Sequence, residues 1–248
     1  MFGLFKKKAP QPVFNGNYSG LHTDMHSHLL PGIDDGAPDV DTSILLIKGM
    51  MELGYKKFIT TPHIYPDLYP NTAATIQQAH AVLTQRLQQE QIDVEIKAAA
   101  EYFIDEQFPE RIERKEPLLT LHQNWVLVEI SFISPPADLN ETIFKMVVAG
   151  YQPVLAHPER YSFYHHNKEV FHQFRDRGCM LQVNVLSLLG YYGKSVQETA
   201  RMLVKEQLVD LVGTDLHHTR HLQAMRHPAL MAETDALLQT GRLLNPTL

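Results

Sequence analysis

The residues able to do chemistry in this sequence come in short pairs of metal-ligand types. His26 and His28 flank Ser27 near the start, and Asp215 and His217 flank Leu216 near the end. Each pair follows a run of apolar or small residues that reads as a β-strand, where residues two apart point to one face. Each pair can therefore aim two donors at one ion, and only folding can bring the two pairs together. Further candidates stand where apolar runs stop. Asp34-Asp35 lies between Gly32 and Gly36, His63 closes Thr60-Thr61-Pro62-His63, and Glu101 follows Ala98-Ala99-Ala100. Glu129 ends Val126-Leu127-Val128-Glu129, and His157 follows Val154-Leu155-Ala156. A carboxylate as deep in an apolar run as Glu129 is costly to bury unless it is paired or metal-bound.

Any one of these alone reads as an ordinary core or loop residue. Together they end six of seven expected strands, and that coincidence argues for a metal cluster. Five imidazoles (His26, His28, His63, His157, His217) and four carboxylates (Asp35, Glu101, Glu129, Asp215) exceed the about four to six positions of a single ion. Two or three ions sharing carboxylates fit better, and mixed nitrogen and oxygen donors without thiolate suit Mn, Fe or Zn. Three divalent ions against four carboxylates leave roughly +2 locally, which attracts a dianion such as a phosphate monoester. Arg160 offers a planar fork for phosphate oxygens, or else a surface salt bridge. Arg220, beside the last ligand pair, is a second candidate. His218 and His221 could support that pair, and the remaining histidines read as surface or packing residues. Tyr65, Tyr69, Tyr102, Phe132, Tyr161, Tyr191 and Tyr192 are placed to line a cleft for an aromatic substrate, or simply to pack.

The elements that must position these residues alternate in type. Strands are expected at 21–26, 57–61, 94–99, 125–130, 153–156, 180–185 and 209–213. Helices are expected at 40–53, 72–90, 105–114, 139–149, 167–177, 196–206 and 228–239, with Asp138 capping the fourth. Strands alternating with helices build a parallel α/β fold. A closed or nearly closed barrel suits it better than an open doubly wound sheet, because barrel chemistry sits at the C-terminal strand ends. Residues 1–20, with Lys, Pro, Gly and Asn, are expected to form a flexible arm, and 21–248 a single domain.

Composition narrows the function. A net charge of −6 argues against a nucleic-acid-binding surface, and 14 histidines raise the expectation of a metalloenzyme. The single cysteine, Cys179, excludes an internal disulfide and fits a reducing compartment, so a cytoplasmic protein is expected, neither secreted nor membrane-spanning. Cys179 also lacks the arginine six positions on that a cysteine phosphatase needs, because Val185 stands there. Asp39-Val40-Asp41-Thr42 resembles an aspartyl-phosphate motif but reads as a helix start. An amidohydrolase would typically want a bridging lysine on strand four, where Glu129 stands.

At this point the sequence resembles the polymerase-and-histidinol-phosphatase (PHP) metalloesterases. More narrowly it resembles their bacterial manganese-dependent protein tyrosine phosphatases of capsule and exopolysaccharide synthesis. The matching pieces are Asp24-Met25-His26-Ser27-His28, Gly32-Ile33-Asp34-Asp35-Gly36, Thr61-Pro62-His63, Ala100-Glu101-Tyr102, Leu127-Val128-Glu129, Leu155-Ala156-His157-Pro158-Glu159-Arg160-Tyr161, Gln182-Val183-Asn184 and Asp215-Leu216-His217. The resemblance implies a distorted (β/α)7 TIM-like barrel, the PHP fold, with three divalent ions at its C-terminal rim, Mn before Fe, Zn or Mg. It implies His26, His28, Asp35, His63, Glu101, Glu129, His157, Asp215 and His217 as ligands, with Asp35 rather than Asp34 matching the family's ligand, and Arg160 as the phosphate-gripping arginine. The implied activity is hydrolysis of phosphotyrosine by a metal-bridging hydroxide, the substrate being the tail of a membrane-associated bacterial tyrosine kinase. A histidinol-phosphate phosphatase or another PHP phosphoesterase is the alternative.

Overall fold

The structure, a computed structural model, describes residues 16–248. Its order is β1 (Thr23–Asp24), α1 (Val40–Glu52), β2 (Lys57–Thr60), β3 (His63–Ile64), α2 (Ala73–Gln89), β4 (Glu95–Ala98), β5 (Glu101–Phe103), α3 (Phe108–Glu113), β6 (Trp125–Glu129), α4 (Leu139–Val148), β7 (Gln152–Ala156), α5 (Glu169–Asp176), β8 (Met180–Asn184), α6 (Lys194–Lys205), β9 (Leu211–Gly213), α7 (Thr219–Met225) and α8 (Pro228–Leu238). The fold is α/β with parallel sheets. A three-stranded sheet runs β1-β2-β4 and a six-stranded one runs β3-β5-β6-β7-β8-β9, every named pair parallel.

Two of the expected strands, 57–61 and 94–99, are each followed by a further short strand. Pro62 carries no N–H and separates β2 from β3, and Ala99-Ala100 separates β4 from β5. Hydrogen bonds cross both breaks, from Ala99 N–H to Thr60 O (2.9 Å) and from Glu101 N–H to Pro62 O (3.1 Å). The first strand is shorter than expected, but its continuation meets the last. Ser27 bridges Leu216 in parallel, Asp215 N–H donates to His26 O (2.8 Å), and His28 N–H donates to Leu216 O (3.0 Å).

Helix boundaries follow from caps and apolar faces. The Asp39 carboxylate accepts the Thr42 N–H (2.8 Å), and Thr72 and Thr75 form a reciprocal capping box at the start of α2. Asp138, expected to cap α4, makes no such bond, because its backbone is not in the extended conformation a cap requires. The seven-residue α7 was not expected; its start is capped by the imidazole of His218.

Most of the core lies between helices and strands. A separate small cluster takes Ile59, Leu127, Val154 and Leu211 from β2, β6, β7 and β9, with Met25 just after β1 and Ala99 just after β4. Leu127 and Glu129 are two apart on β6, as are Ala99 and Glu101, so the same alternation that buries this apolar plug stacks carboxylates above it.

The expected 1–20 arm is not loose at its inner end. Tyr18 is buried, its N–H donates to Leu53 O (2.8 Å), its hydroxyl donates to Met225 O (2.8 Å), and its ring stacks on Tyr55. The rest of that expected arm, residues 1–15, lies outside the described residues. No helix among the described residues is long and apolar enough to cross a membrane.

Candidate metal centre

The nine expected donors converge. Three overlapping sets each hold one donor atom per residue within 4.8 Å of the others: His28, Asp35, His63 and His217; His26, His28 and Glu101; and His63, Glu101 and Glu129. His157 joins through Glu101, 3.2 Å from its Nε2, and Asp215 lies 3.5 Å from the Nε2 atoms of both His26 and His28. Glu101 sits at the centre, its Oε2 3.2 Å from both His26 Nε2 and His63 Nδ1.

Hydrogen bonds from behind aim the imidazoles. His26 Nδ1 donates to Gln182 Oε1 (2.7 Å), His28 Nδ1 to Asp34 Oδ2 (2.8 Å), and His217 Nδ1 to the Asp215 carbonyl (2.9 Å). An oxygen acceptor on Nδ1 places the proton there and leaves Nε2 as a bare lone pair facing inward. Gln182 passes the chain on to Asn184 (3.0 Å), whose amide holds Asp215 Oδ2 (2.7 Å). Those two amides are the polar end of the sixth expected strand, the one that offered no ligand.

Asp34 and Asp35 divide their work. Asp34 accepts the Gly36 N–H (3.0 Å) and the His63 N–H (3.2 Å) as well as His28, so its oxygens are used up in orienting. Asp35 is half exposed and reaches His63 Nε2 and His217 Nε2, each at 3.4 Å. The turn that separates them needs glycine at position 36, where a Cβ would fall 2.2 Å from the His28 carbonyl oxygen. His157 (φ 33°) and Asp215 (φ 51°) are themselves held in the left-handed region, a strain that persists where surrounding structure over-determines it, typically at functional sites.

The donor atoms facing inward fit divalent cations. His26 Nε2, His28 Nε2, His63 Nδ1 and both oxygens of Glu101 are buried without a hydrogen-bond partner. Buried polar groups are otherwise almost always paired, and an unpaired buried carboxylate is especially costly. Protons compete for the same atoms. Burial opposes charge on His26, His28 and His63, but neighbouring carboxylates outweigh it and raise all three, His63 to about 10. Burial likewise opposes ionisation of Glu101 and Asp215, and the surrounding imidazoles override it and hold both well below the usual carboxylate range.

Above the donors opens a cavity of about 270 Å³, walled by Phe132, Arg160, Tyr192, His218 and His221 together with six of the donors. Arg160 donates from Nη1 to Asp215 Oδ2 (2.7 Å), and its guanidinium lies between the rings of Phe132 (4.8 Å) and Tyr192 (4.6 Å). Arg220 is not brought there; it is exposed on α7. Of the aromatic residues expected at the mouth, only Phe132 and Tyr192 line this cavity. Tyr102 and Tyr161 are buried, accepting the N–H groups of Leu119 and Ile130. His221 accepts the His217 N–H at Nδ1 (3.3 Å) and so takes part in the wall.

A family described as "Capsular polysaccharide synthesis, CpsB/CapC" matches residues 22–240. The chain belongs to the CpsB/CapC family. Among CpsB/CapC relatives, the tyrosine-protein phosphatase YwqE of Bacillus subtilis (strain 168) is 28% identical over 197 residues, covering 79% of this chain and 78% of its own. The tyrosine-protein phosphatase CpsB of Streptococcus pneumoniae is 24% identical over 200 residues, covering 79% and 82%. A crystal structure from work on YwqE and CpsB, described there as unique metal-dependent tyrosine phosphatases, superposes with a TM-score of 0.75 at 27% identity, over 89% of this chain and 95% of the other. The histidinol phosphate phosphatase of Lactococcus lactis shares the fold, with a TM-score of 0.50 at 14% identity over 85% and 92% of the two chains.

Proposed function

We propose that this CpsB/CapC member is a metal-dependent protein tyrosine phosphatase that holds three divalent ions, Mn foremost, on His26, His28, Asp35, His63, Glu101, Glu129, His157, Asp215 and His217. The observation that carries this reading is the convergence of buried, unpartnered nitrogen and oxygen donors beneath a cavity whose wall holds a fixed arginine. The parallel contact of Ser27 with Leu216, which brings the first and last strands together, supports a closed (β/α)7 barrel with these donors at its rim.

Ions bound there supply Lewis acidity and activate water at neutral pH. The protein's own residues do the rest. Gln182, Asp34 and the Asp215 carbonyl hold three imidazoles in the tautomer that presents Nε2. Arg160, fixed by Asp215 and two rings, is placed to grip non-bridging phosphoryl oxygens and to offset charge that grows in the transition state. Phenolate leaves readily, so no strong acid is required opposite it. The substrate we infer is a phosphotyrosine segment of a membrane-associated bacterial tyrosine kinase, and the lone buried thiol Cys179 suits the cytoplasm.

The test is phosphate release from a phosphotyrosine peptide and from histidinol phosphate, with strand cleavage of single-stranded DNA alongside, using chelated protein given Mn, Fe, Zn or Mg. We expect turnover of the peptide only, restored best by Mn. Full activity in chelator, or preferential turnover of histidinol phosphate, would overturn the reading.

A further inference from the structure

We infer that the hydroxyl of Tyr192 is a binding group for the phosphoryl dianion, donating a hydrogen bond beside Arg160. The inference rests on the phosphatase reading above and adds a residue to it. Tyr192 follows the 3-10 turn Val185–Leu189, and its ring packs against the Arg160 guanidinium and stands 6.1 Å, edge-on, from His221. All three residues line the cavity above the donors.

The hydroxyl oxygen of Tyr192 is buried and has no hydrogen-bond partner, alone among tyrosines of the described residues. Three other buried tyrosines settle theirs: Tyr18 on the Met225 carbonyl, Tyr102 against the Leu119 N–H and Tyr161 against the Ile130 N–H. An orphaned buried hydroxyl costs about 1–3 kcal/mol, and of the four left so among the described residues, on Ser27, Thr84, Thr142 and Tyr192, only that of Tyr192 belongs to a residue lining the cavity. Its acidity does not compromise the role, since burial raises the phenol further above its ordinary range and it stays a donor at working pH. A phosphate monoester seated on Arg160 brings acceptor oxygens to the same wall, and Arg160 with Tyr192 then supplies two kinds of donor from one surface. No proton is transferred; the phenol contributes a hydrogen bond only.

Tyr192→Phe separates this role from packing, because it removes the oxygen and keeps the ring under Arg160. Inorganic phosphate binding to Mn-loaded protein, followed by calorimetry, should weaken about 10- to 100-fold, the range for a lost hydrogen bond to a charged group. Metal content should be unchanged, and the melting temperature should stay level or rise because an orphan is gone. With phosphotyrosine peptide, KM should rise or kcat fall. Wild-type phosphate affinity and turnover in Y192F would overturn the inference while leaving the phosphatase reading intact. So would a lower melting temperature with unaltered phosphate binding, which would make the hydroxyl structural, or loss of metal, which would make it a ligand. A wild-type protein that neither binds phosphate nor turns over the peptide with any metal would sink the broader reading, and this inference with it.

Discussion

At the residue scale, the centre depends on groups that touch no ion. Gln182 and Asp34 each hold one imidazole in the tautomer that exposes Nε2. Replacing Gln182 with Leu, which keeps bulk and removes the acceptor, should weaken metal affinity about 10- to 100-fold, measured by competition with a chelating dye; an unchanged affinity would refute the aiming role. Proton release gives a second check. Carboxylates raise His63 to about 10, so at pH 7.5 the ion-free protein holds its proton, while coordination requires a bare nitrogen. Metal binding must therefore expel protons, visible as a binding enthalpy that varies with buffer ionisation enthalpy. A third prediction concerns Cys179. Burial pushes its thiol up to about 12, so iodoacetamide at pH 8 should leave activity intact, and Cys179→Ala should retain wild-type turnover. Inactivation by either would restore a thiol mechanism.

At the element scale, strand ends were legible and their fine aim was not. Ligand types at the ends of apolar runs marked residues that the fold does bring together, because strand periodicity is local. What separates Asp34 from Asp35 is the approach of Gly36 to the His28 carbonyl, a contact between loop and strand that no local pattern reports. His157 and Asp215 are re-aimed by left-handed backbone without a glycine to announce it. Gln182 and Asn184 left a signal, two amides two apart in an otherwise apolar strand, but their partners lie just after β1 and after β9. Arg220 stands close to the last ligand pair in sequence, but α7 leaves it exposed and outside the lining of the cavity. Gly36→Ala tests the tight loop: its Cβ would collide with backbone, so we expect a loss of about 1–3 kcal/mol in urea unfolding together with weakened metal binding. Wild-type values for both would show that the loop gives way.

At the scale of the whole molecule, the centre draws its donors from segments spread between residues 26 and 217, so bound ions should tie the strand ends together. An ion present at about 100 times its dissociation constant adds about 2.7 kcal/mol, or about 5–10 °C for a domain of this size. Mn-loaded protein should melt that much above chelated protein in a scanning experiment, and coincident transitions would contradict a multi-strand cage. The same dispersal bears on biosynthesis. The contact of Ser27 with Leu216 cannot form until the last strand has left the ribosome, and by then His26 and His28 have long been outside the exit tunnel. A nascent chain thus carries seven of the nine proposed donors before Asp215 and His217 emerge, and capture is completed only when those two arrive. The metal the enzyme keeps is then set by the free-ion pool it meets at that moment as well as by the intrinsic affinity order of its ligands.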